Sequence, residues 1–108
     1  MQELTVETFE EAVIRPNHSC VVLFSKETCP LCQEVHPMLE EVEEEYSEQP
    51  VEFYHVDAEV HAALLVKLGL QGVPNVLFYR DGELYQRFSG FREFEEYMFM
   101  IDRMLEGK

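Results

Sequence analysis

The sequence predicts an α/β fold in which parallel strand–helix units are followed by a β-hairpin. Three observations carry that reading. The run Val21-Val22-Leu23-Phe24 reads as a buried strand, and the segment after it turns helical, with Leu31, Val35, Met38, Leu39, Val42 and Tyr46 recurring at spacings of three and four. A second apolar run, Val51 to Val56, is followed by a short helical pattern on Val60, Leu64 and Leu68. Finally, Asp81-Gly82 joins two strand-like runs, Asn75 to Tyr79 and Glu83 to Phe88, and an Asp-Gly pair in that place is a two-residue hairpin signal.

Taken in order, Glu3 to Val6 is a short edge strand. Phe9, Ala12 and Val13 mark a helix face that ends before Pro16-Asn17. Ser19 to Ser25 is the next strand, and within it Cys20 reads as a small buried hydrophobe. A long helix is expected from Cys29 to Ser47, kinked near its second turn by Pro37. Its runs Glu40-Glu41 and Glu43-Glu44-Glu45 read as a solvated face, with an acidic docking surface as the alternative. Gly69 is a natural stop for the short helix. The last helix is expected to begin near Phe91 and to bury Phe94, Tyr97, Met98, Ile101 and Leu105; Met98, Met100 and Met104 read as packing. The element order is β-α-β-α-β-α-β-β-α.

With 108 residues and a hydrophobic fraction of 46%, the chain is expected to be one domain, residues 1–108, with its own core. Twenty-two acids against eight bases give a net charge of −14, which excludes nucleic acid as a partner and argues against an anionic membrane surface. The N-terminal residues show no basic and apolar signal pattern, and no apolar run approaches membrane-spanning length. A soluble, cytoplasmic monomer is therefore expected. Three cysteines, an odd number, fit a reducing compartment better than a disulfide framework.

Two of those cysteines form Cys29-Pro30-Leu31-Cys32, placed where the strand gives way to the helix. Disulfide exchange needs a thiolate, and a free cysteine with a pKa of ~8.5 supplies little of it at neutral pH. With Thr28 as N-cap, Cys29 takes the first helical position, where unpaired N–H groups and the helix dipole favour a negative sulfur. Pro30 suits the first turn, and Leu31 and Cys32 are placed to offer N–H groups to that sulfur. Cys32, one turn on, is placed to attack a mixed disulfide on Cys29. Cys29 is thus the expected nucleophile and Cys32 the resolving thiol.

The competing reading is a zinc half-site, Cys29-x-x-Cys32-x-x-x-His36. No second ligand pair is present to complete four ligands, so redox chemistry is preferred and no metal is expected. No bound cofactor is expected either. His36 is placed either to accept the Cys32 proton or simply to pack near Pro37. His18, His55 and His61 carry no constellation around them.

At this point the chain resembles thioredoxins along essentially its whole length. The carriers are the C-x-x-C after the second strand, Pro37 in the helix, Gly72-Val73-Pro74 before the fourth strand, Asp81-Gly82 at the hairpin and Gly90 before the last helix. The resemblance implies the thioredoxin fold, a central mixed five-stranded sheet flanked by four helices. It implies that Pro74 is cis and faces the cysteines, and that Val73 offers backbone hydrogen bonds to a bound peptide. Thr28, Pro30, Leu31, Val73, Pro74 and Gly90 then form the substrate-binding surface.

The departures are local. Thr28 replaces the family's tryptophan before the first cysteine, and Pro30-Leu31 its inner Gly-Pro; Leu23 and Phe53 stand where a buried acid and its lysine partner would be. Lys26-x-Thr28-Cys29-Pro30-x-Cys32 is instead similar to glutaredoxins, whose corresponding lysine contacts the glutathione carboxylate. The implied activity is thiol–disulfide exchange with protein disulfides, with a reductase or glutathione as electron donor. The alternatives are a glutathione-dependent oxidoreductase marked by Lys26, and a thioredoxin-fold binding module with little turnover.

Overall fold

A computed structural model describes residues 1–107. Its elements are β1 (Gln2–Leu4), α1 (Phe9–Val13), β2 (Ser19–Ser25), α2 (Cys32–Glu45), β3 (Glu52–Asp57), α3 (Ala62–Leu68), β4 (Asn75–Arg80), β5 (Glu83–Ser89) and α4 (Phe94–Leu105). The strands form one five-stranded mixed sheet in the order β1-β3-β2-β4-β5. β1, β3 and β2 run parallel, and β4 and β5 are antiparallel to their neighbours.

The alternation of side chains along each strand divides the core in two. Val21, Leu23, Phe53, Val76, Phe78 and Phe88 face α2 and α4, and meet Val35, Leu39, Val42, Tyr97, Ile101 and Met104. Val22, Phe24, Val56, Leu77 and Tyr79 face the other way, against Phe9, Val13 and Leu64. Cys20 lies fully buried in this second layer.

Turn chemistry behaves as the sequence indicates at two points. Gly69 ends α3 with φ +71°, and the Leu70 N–H reaches back to Leu65 O at 2.8 Å. Asp81 and Gly82 both have positive φ, +56° and +76°, the pair that a tight hairpin turn requires. A Cβ on Gly82 would lie 3.0 Å from the backbone nitrogen of Arg15, so the hairpin tip sits directly on the α1–β2 connection.

Several boundaries differ from expectation. Regular helix in α2 starts at Cys32, not Cys29, and no side chain caps it. Thr28 is therefore not its N-cap, and the physical reason lies in the next residues. Pro30 bars the residue before it from helical backbone, which keeps Cys29 out of the regular helix. α4 starts at Phe94 because Glu93 and Glu96 form a reciprocal capping box. Val60 stands clear of the core at 70% exposure, since α3 begins only at Ala62. Leu31 is exposed as well, in the turn between the two cysteines. Among the described residues, no helix is long and apolar enough to cross a membrane.

Candidate active site

The cysteine pair sits at the C-terminal end of β2, the central strand of the sheet. All three cysteines of the chain are free thiols. Between β2 and α2 the chain makes a tight turn closed by the Cys29 N–H on Lys26 O at 3.3 Å. The helical hydrogen-bond ladder then begins: the Gln33 N–H bonds to the Cys29 and Pro30 carbonyls, each at 3.2 Å. Cys29 therefore stands where the ladder opens, and its sulfur accepts the Cys32 N–H at 3.1 Å. It is the Cys32 N–H, rather than that of Leu31, that meets the sulfur.

The two thiols have different surroundings. Cys29 is half-buried, while Cys32 is only 2% exposed. Burial pushes the Cys32 thiol up to about 11, and the Cys29 sulfur beside it acts the same way; the Lys26 N–H and ammonium pull weakly against them. Cys29 is the more accessible of the two thiols.

Val73 and Pro74 form the opposite wall. Their peptide bond is cis, and the Cys29 sulfur lies 3.9 Å from Val73 O. A cleft of about 440 Å³ runs along this wall, lined by Val73, Pro74, Asn75, Arg87, Ser89 and Gly90 among others. The loop is pinned from below. Asn75, 5% exposed, donates from Nδ2 to Gly72 O at 2.6 Å and accepts the Ser89 hydroxyl at 2.9 Å, while the Gly90 N–H bonds to Pro74 O at 3.0 Å. Sequence reasoning missed Asn75 and Ser89, because their pairing depends on the β4–β5 register that sets them side by side. Thr28, Pro30 and Leu31 are exposed around Cys29, and none of them lines this cleft.

Lys26 and His36 fall elsewhere. Both line a smaller cleft of about 230 Å³ on the other side of Cys32, together with Ser25, Glu27, Gln33, His55 and Asp57. The structure thus separates Lys26 from Gly90 and places it beside Cys32. It also corrects the expectation that His55 stands without a constellation. His55 Nε2 lies 2.6 Å from the Ser25 hydroxyl, its Nδ1 lies 2.7 Å from a Glu3 carboxylate oxygen, and its ring meets His36 edge-on at 4.9 Å between centroids. Three neighbouring strands and α2 supply these groups, and no spacing within the sequence joins them. His18 too is partnered, with Arg15 at 2.9 Å and the Tyr54 hydroxyl at 3.2 Å. Among the described residues, no group of three or more His, Cys, Asp or Glu side chains is arranged to hold a metal ion. A larger depression of about 480 Å³ lies among Glu40, Glu43, Glu44 and Glu52, away from both cysteines.

Comparison with known proteins bears on the family and the fold. The sequence model of the Thioredoxin family matches residues 1–103. A thioredoxin of Acetoanaerobium sticklandii is 34% identical over 83 residues, covering 77% of this chain and 78% of that protein. An NADPH-dependent thioredoxin reductase 3 of Arabidopsis thaliana is 30% identical over 82 residues, which is 76% of this chain and 15% of the relative. In three dimensions the thioredoxin of Malassezia sympodialis superposes with a TM-score of 0.85 at 19% identity, covering 97% of this chain and 90% of that one. The arrangement of the sheet, its four helices and the near-complete family match lead to one conclusion: the chain belongs to the thioredoxin family.

Proposed function

We propose that residues 1–108 form one domain that reduces protein disulfides through the Cys29/Cys32 pair. The Cys29 thiolate attacks one sulfur of the substrate disulfide, forming a mixed disulfide and releasing the other sulfur as a thiolate. Cys32 then gives up its proton and attacks the Cys29 sulfur. The substrate leaves as a dithiol, and the pair is left as a disulfide. Two electrons have passed to the substrate, and an external donor returns the pair to its dithiol form. The single observation that carries this reading is the asymmetry of the pair. Cys29 is half-buried, beside Val73 O, with the Cys32 N–H aimed at its sulfur, while Cys32 is enclosed and its burial favours the protonated thiol.

Val73, Pro74 and Gly90 line the cleft beside which a substrate strand lies, and the exposed Thr28, Pro30 and Leu31, next to Cys29 in the chain, complete the surface it meets. A reductase is the donor this reading favours, since a relative bears the name NADPH-dependent thioredoxin reductase 3. Glutathione held by Lys26 and Gly90 together is disfavoured, because they line different clefts. Parallel turnover assays on a disulfide-containing protein, one with a thioredoxin reductase and NADPH, one with glutathione and its reductase, test both points. Turnover with the first system alone is expected. Turnover with glutathione alone would reverse the choice of donor, and none with either would favour a binding module. The compartment in which this takes place is proposed to be the cytoplasm.

A further inference from the structure

The resolving step has to remove a proton from a thiol that is only 2% exposed, and burial holds that proton firmly. The face of the sheet beneath the first turns of α2 is apolar along Val21, Leu23 and Phe53. It turns polar at Ser25, His55 and Asp57, directly at the cleft that Cys32 lines. In the strand register Glu3 and Leu23 flank His55 and Ser25 pairs with Asp57, so Ser25 lies diagonal to His55 on the same face, and the His55 ring bridges the Ser25 hydroxyl and the Glu3 carboxylate. The cleft volume, about 230 Å³, is ample for water between Cys32 and the Ser25 hydroxyl.

We propose that His55 is the proton acceptor of the resolving step, reached from Cys32 through Ser25 and held in the accepting tautomer by Glu3. The donor inventory fixes the direction. An ionised Glu3 only accepts, so the His55 Nδ1 at 2.7 Å carries the hydrogen, and Nε2 presents its lone pair to the Ser25 hydroxyl at 2.6 Å. As Cys32 loses its proton by way of cleft water, the Ser25 oxygen takes up a proton and passes its own to Nε2. The Cys32 electron pair forms the bond to the Cys29 sulfur. The bond from Cys29 to the substrate sulfur breaks, and that sulfur leaves with the pair. The imidazolium, steadied by the Glu3 carboxylate, later returns its proton through water to the departing thiolate. No outside oxidant or reductant enters this step.

Other charged groups face the same cleft. From the β2–α2 turn come Lys26 and Glu27, from β3 comes Asp57, and from α2 comes His36, whose Nε2 is 3.7 Å from Glu40. Asp57 Oδ1 accepts the Glu59 and Val60 N–H groups at 3.0 and 3.4 Å, and its second oxygen makes Asp57 the rival acceptor that the test has to separate from His55. A Ser–His–carboxylate row is also the arrangement that makes a serine nucleophilic. Ser25, however, is 5% exposed, too enclosed for an acyl group though open to water.

The inference rests on the proposed dithiol mechanism, so the test separates the two. The reduced protein is mixed in a stopped flow with a chromogenic aryl disulfide. The first release of aryl thiolate reports attack by Cys29, and the second reports resolution by Cys32. In His55→Asn the ratio of second to first rate is expected to fall by about 10²-fold at neutral pH, the lower range for a general base. Added imidazole should restore part of it, and the deficit should close as pH approaches 11, where Cys32 ionises unaided. Ser25→Ala should reproduce the fall. Glu3→Gln, at an exposed side chain that cannot disturb the core, should give a smaller one. An unchanged ratio in both His55→Asn and Glu3→Gln, a deficit equal at every pH, or an effect confined to His36→Gln or Asp57→Asn would overturn the assignment. Absence of the first release in the unmodified protein would instead overturn the dithiol mechanism itself.

Discussion

Asn75 ties the Val73–Pro74 loop to the end of β5, and its removal is expected to loosen both fold and groove. In Asn75→Ala two hydrogen bonds disappear, those to Gly72 O and from the Ser89 hydroxyl. A net protein hydrogen bond is worth roughly 0.5–1.5 kcal/mol, so the pair amounts to about 2 kcal/mol. The larger penalty for stranded buried groups does not apply, because Gly72 and Ser89 are both exposed and recover water. For a domain of this size about 2 kcal/mol corresponds to a fall in Tm of roughly 8–16 °C. Ser89→Ala breaks only one of the two bonds and should cost about half as much. Differential scanning calorimetry on both variants measures the stability. The KM for a protein disulfide, expected to rise more in Asn75→Ala than in Ser89→Ala, reports the groove. Equal costs for the two variants, or a Tm for Asn75→Ala within about 2 °C of the parent, would show that the side chain does not hold the loop as reasoned.

Two further outcomes follow from burial and backbone geometry. Burial pushes the Cys20 thiol up to about 12 from an ordinary 9.0. Below pH 9 both the folded and unfolded chains keep this proton; between 9 and 12 only the folded chain does, so stability falls as pH rises. At pH 10.5 the Cys20 share of that loss is about 2 kcal/mol. Cys20→Ala should flatten the decline in urea midpoint between pH 8 and 10.5, and an unchanged slope would contradict the burial argument. Gly82→Ala places a Cβ at φ +76° and 3.0 Å from the Arg15 backbone. Strain of this kind costs roughly 1–3 kcal/mol, to be read in urea unfolding, and a neutral result would mean that the hairpin tip yields.

Much of the fold was readable because alternation and helical periodicity report burial directly. Val21 to Phe24 and the stripe Val35, Leu39, Val42 became the central strand and the inner face of α2. Gly69 and Asp81-Gly82 were readable because positive φ restricts residue choice. The start of α2 was misplaced although the signal was present, since Cys29 precedes a proline. The start of α4 was likewise marked by Glu93-x-x-Glu96, an acidic form of the capping box. The Ser25–His55–Glu3 row and the Asn75–Ser89 tie lie beyond sequence spacing altogether. Each is assembled across strands, so it becomes visible only once the register is known.

The account stands or falls on which sulfur meets the substrate. Cys32→Ser leaves Cys29 with its donor N–H and its groove, but without a resolver. Incubated with a disulfide-containing protein, that variant should accumulate a mixed disulfide, and peptide mapping by mass spectrometry under non-reducing conditions should locate it on Cys29. Cys29→Ser should form no such adduct. An adduct on Cys32 in the Cys29→Ser protein, formed as fast as the one on Cys29, would contradict the division of labour between an open nucleophile and an enclosed resolving thiol.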